Sequence, residues 1–412
     1  MRMRLTARGA VLTALAAITI AGLMLQSGYS IRAQSGVMRW DGLLEGISVT
    51  SSYYGWGNGE AANGPNRMSR HAISADGRYV LFESMAQNIG AYYDWWVFLR
   101  DRATGETRSL MPGATHDPVL SADGNQVAFS SCEPYWRPEG PPICDIFTIN
   151  PHTWMFRRLT ELADGTLSDG DSAEPVLSST GRFVVFRTSA TNFFPIGAGQ
   201  DQIALLDRDA DGNGNFDEPG TAHFEAISVT SAGFAGNGPS STAEVSDDGR
   251  FVAFRSGASD LVAGDTNGVW DVFLRDRQSG ITRRINIRPE GQESFFPVNA
   301  PAISMTPDGR FVAYSSADGL LAAGFPDDTN NMEDVFVYDA FTEWTTRLDV
   351  GWGPPVAGGY VPGNGPTRWP MFSADGRYVS LETDATNLEV PSSFPVRQVL
   401  VYDRETRKPT RL

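Results

Sequence analysis

The chain has 412 residues, a formal net charge of −16 at pH 7 and 41 % hydrophobic residues. This hydrophobic content excludes a disordered chain, and so acidic a surface repels phosphate backbones, so we expect no nucleic-acid partner. The 43 glycines and 25 prolines supply the many turns that an all-β chain requires.

The first 35 residues differ in composition from the rest. An apolar run at residues 10–25 is preceded by three arginines, Arg2, Arg4 and Arg8. This order is typical of a secretory signal peptide, so we predict one at residues 1–35 and an exported mature chain, periplasmic or extracellular. The alternative is an uncleaved N-terminal membrane anchor, although the run is shorter than the ~20 residues of a usual span.

From residue 36 onward one pattern occurs six times, a Ser-x-Asp-Gly-Arg turn that leads into a short apolar strand. The third residue of the turn is, in chain order, Asp76, Asp123, Thr180, Asp248, Asp308 and Asp375. These positions are 47 to 68 residues apart, a period that is typical of solenoids, propellers and other repeat arrays.

Each repeat predicts four strands. The strand after the turn, at residues 251–256 for example, is apolar on both faces, as expected for a strand packed between two sheets. Two further strands follow, at residues 271–277 and 281–287, and a short one precedes each turn. We therefore predict an all-β six-bladed propeller of four-stranded antiparallel blades over residues 36–412. The N-terminal segment 46–52 is expected to close the last blade, and the C-terminal segment 408–412 is the alternative.

Three stretches resemble the repeats of TolB-type propellers: the Ser-x-Asp-Gly-Arg turn with its Val-Ala-Phe strand, DTNGVWDVFLRDRQSG at 265–280, and AGNGPS at 235–240. These WD-like repeats occur in exported bacterial proteins, and the resemblance covers residues 45 to 412. It implies the propeller fold, and the same repeat is used by a translocation-system partner, by regulatory domains of prolyl-oligopeptidase-like enzymes and by other secreted proteins, so the resemblance is specific for fold rather than for function.

The chain has two cysteines, Cys132 and Cys144, at the ends of a loop in the second repeat. In an exported protein, a disulfide that closes this loop is the preferred interpretation, and two free buried thiols are the alternative.

Residues 207–218, DRDADGNGNFDE, match the calcium-loop template D-x-D-x-D-G-x5-E without a gap. Hard oxygen ligands in a tight loop suit Ca²⁺. The predicted ligands are Asp207, Asp209, Asp211, Asn213, Asn215 and Glu218. Because a strand rather than a helix precedes the loop, we predict a structural Ca²⁺ site in the third blade. A solvated acidic hairpin is the alternative.

Polar residues recur near the start of the strand that precedes each turn, which in a propeller lines the central channel. Their alignment predicts a ligand site at one channel mouth, formed by Arg70, His71, His116, Asp117, Glu174, Glu244, Arg368 and Trp369. The alternative is that these side chains only solvate the rim.

No hydrolase or phosphate-loop motif is present, and none of the four histidines has the context of a catalytic triad. We therefore expect a non-catalytic, monomeric binding propeller for a protein or peptide, with membrane contact only through an uncleaved N-terminal segment. The alternative is a carbohydrate-active hydrolase or lyase that uses channel-mouth carboxylates with His71 or His116.

Overall fold

The computed structural model describes residues 62–68, 70–89, 91, 95–111, 115–132, 142–194, 200–218, 223–322, 330–348, 350–351, 361–388 and 397–411. The chain divides into two compact units, Met1–Leu159 and Thr160–Leu412. Short 3₁₀ turns occur at Gln87–Ile89 and Pro289–Gly291. Among the described residues, no helix is long and apolar enough to span a membrane. The predicted signal peptide, residues 1–35, lies outside the described residues.

The first unit contains two blades, each a four-stranded antiparallel sheet whose strands lie in chain order. Blade 1 comprises β1 (Asn66–Arg67), β2 (Tyr79–Ser84), β3 (Trp96–Asp101) and β4 (Glu106–Met111). Blade 2 comprises β5 (Thr115–Leu120), β6 (Val127–Ser131), β7 (Asp145–Ile149) and β8 (Phe156–Arg158). In blade 2, Cys132 and Cys144 form a disulfide between the ends of β6 and β7.

The second unit contains four blades of the same kind. Blade 3 comprises β9 (Ser172–Leu177), β10 (Phe183–Thr188), β11 (Gln202–Asp207) and β12 (His223–Ala226). Blade 4 comprises β13 (Ser240–Val245), β14 (Phe251–Ser256), β15 (Asp271–Asp276) and β16 (Ile281–Arg284). Blade 5 comprises β17 (Val298–Met305), β18 (Phe311–Ser316), β19 (Asp334–Asp339) and β20 (Trp344–Arg347). A two-stranded ribbon follows, β21 (Val350–Gly351) and β22 (Val361–Pro362). Blade 6 comprises β23 (Thr367–Phe372), β24 (Tyr378–Thr383), β25 (Gln398–Asp403) and β26 (Lys408–Arg411).

Six four-stranded antiparallel sheets confirm the predicted fold class, a six-bladed β-propeller. Within the second unit the first strands of successive blades are neighbours, because β13 contacts β9 and β17, and β17 contacts β23. The first strand is therefore the innermost strand of a blade. Blade 6 takes its fourth strand from the C-terminal residues Lys408–Arg411. Segment 46–52, which was expected to close this blade, lies outside the described residues.

The Ser-x-Asp-Gly turn is held by its own side chains. In blade 4 the Ser246 hydroxyl donates to Asp248 (2.6 Å), the N–H of Arg250 donates to the same carboxylate oxygen (2.9 Å), and the N–H of Phe251 donates to Ser246 Oγ (2.9 Å). The same three bonds occur in blades 1, 2, 5 and 6, with Thr306 in place of serine in blade 5. The turn thus satisfies the backbone donors where the second strand begins.

The arginine of the turn ties it to the end of the third strand. Arg250 donates from Nε and Nη2 to the two carboxylate oxygens of Asp276 (2.9 and 2.8 Å), and this bond lowers the pKa of Asp276 to about 2. Equivalent two-bond pairs are Arg78–Asp101, Arg182–Asp207, Arg310–Asp339 and Arg377–Asp403. Five of the six blades therefore carry the same Arg–Asp clamp, and blade 2 has Asn125 at the arginine position.

In blades 1, 2, 4 and 5 the core is built on aromatic residues that face each other across the second and third strands. Phe254 and Phe273 are register partners with ring centroids 5.7 Å apart, and Phe82 with Phe98 repeats the arrangement at 5.5 Å. Stacked aromatic pairs contribute about 0.5–1.5 kcal/mol beyond the area that they bury.

Consecutive blades of the second unit pack through the turn glycine. Gly249 has a φ of +69°, and a Cβ atom at this position would lie 2.7 Å from ring atoms of Phe183 in blade 3. Gly309 faces Phe251 of blade 4 in the same way, at 2.6 Å. The turn glycine is therefore required both by its conformation and by the contact between blades.

Candidate binding face at the bulges of the first strands

A β-bulge interrupts the first strand in five blades. The register against the second strand shifts between His116 and Val119 in β5, and at the equivalent places in β9, β13, β17 and β23. At four bulges a residue other than glycine has a left-handed backbone: Asp117 (φ 52°), Glu174 (56°), Thr242 (50°) and Trp369 (58°). We call these four the bulge residues.

The bulge residues occupy one position of the repeat, four residues before the serine of the turn. A left-handed conformation costs a non-glycine residue on the order of 1–3 kcal/mol, and a bulge changes the direction of the side chain that it carries. His71, also left-handed at φ 49°, stands three residues before its turn serine in blade 1. The repeat therefore places a costly conformation at a fixed point of the innermost strand.

The structure distributes the residues predicted at the channel mouth as follows. In the first unit His116 and Asp117 are exposed on β5, while Arg70 and His71 are half-buried between β1 and β2. In the second unit three of the predicted residues are half-buried at bulges, namely Glu174, Arg368 and Trp369.

Glu244 requires a correction. It is only 3 % exposed, and its backbone pairs with Ala253 across the sheet. The position equivalent to Glu174 is Thr242, two residues earlier, because the bulge inserts a residue that simple strand alternation does not reveal. Glu244 therefore belongs to the interior of blade 4 rather than to the predicted ligand site.

Glu174 is the centre of a hydrogen-bonded network in blades 3 and 4. Its Oε1 accepts from Arg187 Nε (3.0 Å), and its Oε2 accepts from the N–H of Thr242 (3.1 Å). Arg187 also donates to Asp201 (2.7 Å). Burial opposes the charge of Arg187, but the two carboxylates outweigh it and raise the pKa of Arg187. Each oxygen of Glu174 has a donor, so this carboxylate positions the bulge of the next blade.

The fifth residue of the second strand lies beside the bulge in blades 3, 4 and 6, and it is charged in these three blades and in blade 1. These residues are Glu83, Arg187, Arg255 and Glu382. Burial raises the pKa of Glu83 although Arg67 contacts it (2.6 Å), and burial raises that of Glu382 although Arg397 lies 3.0 Å away. Beside the bulge of blade 6, Arg368 pairs with Glu333 of blade 5.

Prediction from the sequence missed this second layer of charges. Arg187 and Arg255 stand in strands that read as buried core, so alternation alone places them among apolar residues. The available signal was their recurrence: the same strand position carries a charge in four of six repeats. A charged residue that recurs at one position of a core strand indicates that this position faces polar groups rather than the apolar core.

The structure gives Asp207 a role that the calcium-loop spacing did not predict. Its two oxygens accept from Arg182 (2.8 and 3.0 Å), so Asp207 is the aspartate of the blade 3 clamp. Arg182 also lies 3.8 Å from buried Asp209, whose oxygens accept the N–H of Gly214 (3.2 Å). In this arrangement Arg182 holds both oxygens of Asp207, and the role of Asp207 as a Ca²⁺ ligand stays a prediction.

The rest of the loop is linked by Asn213. Its amide nitrogen donates to Asp211 (2.8 Å) and to Glu218 (2.5 Å), which brings these two carboxylates to one atom, and its Oδ1 accepts the N–H of Asn215 (2.8 Å). Within the described residues, no group of three or more His, Cys, Asp or Glu side chains is arranged to hold a metal ion. The Ca²⁺ site stays a prediction.

In fold the chain resembles TolB-type propellers, as its repeats indicate. TolB from Acinetobacter baumannii is 16 % identical with a TM-score of 0.40, and the match covers 74 % of this chain and 57 % of that protein. An oligogalacturonate lyase from Vibrio parahaemolyticus is 11 % identical with a TM-score of 0.49, over 85 % of this chain and 79 % of the lyase. A puromycin-hydrolyzing peptidase from Mycobacterium tuberculosis is 13 % identical with a TM-score of 0.48, over 81 % of this chain and 44 % of the peptidase.

These likenesses lie at the level of the fold and indicate no activity. The chain spans little more than half of the Acinetobacter TolB and less than half of the peptidase. No protein-family model and no curated protein matches the chain.

Proposed function

We propose that this protein is an exported, non-catalytic propeller that binds a protein or peptide partner through the bulge residues of its second unit, Glu174, Thr242 and Trp369. The observation that carries the proposal is the left-handed backbone of Asp117, Glu174, Thr242 and Trp369 at one repeat position. Strain of on the order of 1–3 kcal/mol per residue is typical of sites where a side chain must be held in a set direction.

The contrast between constant and variable repeat positions supports the proposal. The turn recurs in every blade and its Arg–Asp clamp in five of the six, as expected for a framework. The bulge position is instead acidic in two blades, a threonine in one and a tryptophan in another. The framework is thus constant, whereas the residue type at the strained bulge position varies from blade to blade. Such variation is suited to recognition of an irregular surface, such as that of a folded protein or a peptide.

The hydrogen bonds of Glu174 weigh against the alternative of a carbohydrate hydrolase or lyase. A general acid or nucleophile needs an oxygen that can reach the substrate, and both oxygens of Glu174 already accept from Arg187 and Thr242. The other carboxylate considered for that role, Glu244, is buried. Turnover of glycans by the wild-type protein is the result that would favour this alternative.

The test replaces Trp369 by glycine. Glycine accepts a positive φ, so the bulge persists while the side chain is removed. Relief of strain opposes the added chain entropy, but Trp369 is half-buried, so the variant also loses buried apolar surface and we expect a lower melting temperature, which is measured beside capture. Capture of the partner from the native cell envelope, measured by quantitative mass spectrometry, should fall sharply.

Trp154 provides the matched control. It also has a positive φ, 60°, but it lies in the turn between β7 and β8 and its side chain is 51 % exposed. Trp154→Gly should leave capture unchanged. Equal capture by the wild type and Trp369→Gly would contradict the proposal, as would equal losses in the two variants.

We also propose that the blade 3 loop binds structural Ca²⁺ through Asp209, Asp211, Asn213, Asn215 and Glu218. Binding would require the loop to close around the ion, with Asp207 left in its clamp. Ca²⁺ should raise the melting temperature relative to chelator, and Glu218→Ala should abolish that difference. Asp207→Ala should instead lower the melting temperature in both buffers. A wild-type melting curve that chelator does not change would dispose of the Ca²⁺ site.

A further inference from the structure

Arg255 is a buried cation beside the bulge of blade 4. It is the fifth residue of β14, and its backbone pairs with Ser241, next to the bulge residue Thr242. The residue is only 7 % exposed, and the face of its guanidinium lies over the Trp270 ring, 4.8 Å from the centroid. Its Nε is buried and has no hydrogen-bond acceptor in the described part of the chain.

The equivalent residues of other blades have partners of opposite charge. Arg187 is neutralised by Glu174 and Asp201, and Glu382 by Arg397. In blade 4 the residue equivalent to Glu174 is Thr242, and the residue equivalent to Asp201, just before the third strand, is Trp270. Both carboxylates that balance the arginine of blade 3 are therefore replaced by uncharged side chains around Arg255.

The remaining electrostatic influence on Arg255 is weak. Burial lowers the pKa of Arg255 to about 10, and the nearby charge of Glu174 offsets only part of this effect. Glu174 forms no ion pair with Arg255 in the structure, because its oxygens accept from Arg187 and Thr242. The buried Nε of Arg255 without an acceptor destabilises the free protein, and a carboxylate is the group whose geometry matches a guanidinium best.

We propose that Arg255, with Trp270 as its stacking platform, is the binding site for a carboxylate group of the peptide partner. The proposal rests on the proposed function, and it names the chemistry that the partner presents at blade 4. The carboxylate has two possible sources, an acidic side chain or a free chain terminus. A neighbouring bulge residue, Thr242, places its hydroxyl-bearing side chain on the same strand pair.

Three synthetic pentapeptides distinguish these sources by calorimetric titration of the full mature chain. The first carries a central glutamate between glycines and is blocked at both ends, the second is N-acetylated pentaglycine with a free C-terminus, and the third is pentaglycine blocked at both ends. The proposal predicts that one of the first two binds at least about tenfold more tightly than the third, the gain expected for hydrogen bonds to a charged group.

Variants locate the effect. Arg255→Met should remove the preference for the carboxylate peptide, and Arg255→Lys should retain part of it because the charge remains. Arg283→Met serves as the control for net charge. Arg283 lies on the outer strand β16, its side chain is 46 % exposed, and it pairs with Glu343. Removal of this arginine should therefore not change peptide binding. Arg255→Met should also melt at a higher temperature than the wild type, because it removes an unpaired buried charge.

Equal binding of the three peptides to the wild type would overturn the proposal, as would a carboxylate preference that survives Arg255→Met. A lower melting temperature of Arg255→Met with unchanged peptide binding would show that Arg255 only packs against Trp270, which also overturns it. The titration uses no native partner. Failure here with Trp369-dependent capture intact would therefore reject the carboxylate site alone, whereas loss of that dependence would reject the proposed function.

Discussion

The contact between the turn glycine and the preceding blade makes a sharp prediction for Gly249→Ala. The left-handed backbone costs alanine about 1–2 kcal/mol. The new methyl group would lie 2.7 Å from ring atoms of Phe183, and overpacking of a filled core costs a further 1–3 kcal/mol or so. We therefore expect a total loss of roughly 2–5 kcal/mol in the free energy of unfolding.

Gly280 separates the two contributions. It has the same φ of +69°, but no atom lies within 4 Å of a Cβ built on it. Gly280→Ala should therefore lose only the conformational part, about 1–2 kcal/mol. Urea denaturation followed by fluorescence and circular dichroism gives both midpoints, and equal slopes would show that the comparison is sound. If Gly249→Ala were as mild as Gly280→Ala, packing of the turn on the preceding blade would be refuted.

Two further predictions concern stability. Burial raises the pKa of Asp265 to about 6, with Arg284 opposing this and Asp271 and Glu293 adding to it. Because the folded state then binds the proton more tightly than the unfolded state, stability from this group is lost as pH rises from about 4 to about 6. Asp265→Asn should flatten that decline in melting temperature, and an unchanged pH profile would contradict the assignment. Replacement of Cys132 and Cys144 by serine should cost roughly 3 kcal/mol at most, the loop-closure value for so short a ring. A thiol titration that finds free cysteines in the wild type would exclude the disulfide.

The sequence was sufficient for the fold because the determinants of a blade are local. Ser246, Asp248 and Gly249 form a turn within a few residues, and their repetition indicates the number of blades. The clamp between Arg250 and Asp276 was not predicted, because it joins residues of two strands and depends on their register. Asp207 is the last residue of its third strand, as the clamp aspartates of the other blades are. The first position of the calcium-loop match is therefore also explained by the clamp.

The candidate site was predicted only in part. Alignment of the first strands across the repeats identified Asp117, Glu174 and Trp369, but it placed Glu244 where the bulge puts Thr242. Asn, Asp and His are enriched at positive φ, but Glu174, Thr242 and Trp369 are not residues of these types, so their bulges could not be seen before the strand pairing was known. The isolation of Arg255 likewise depends on which residues of blade 4 occupy the positions of Glu174 and Asp201.

The most direct test of partner binding is site-specific photocrosslinking in the native cell envelope. A photoreactive aromatic residue is introduced at Trp369, and in a second variant at Trp154, which is exposed on the hairpin between β7 and β8. The proposed function predicts one prominent protein adduct from position 369 and none from position 154. No adduct from position 369, or the same set of adducts from both positions, would contradict the account.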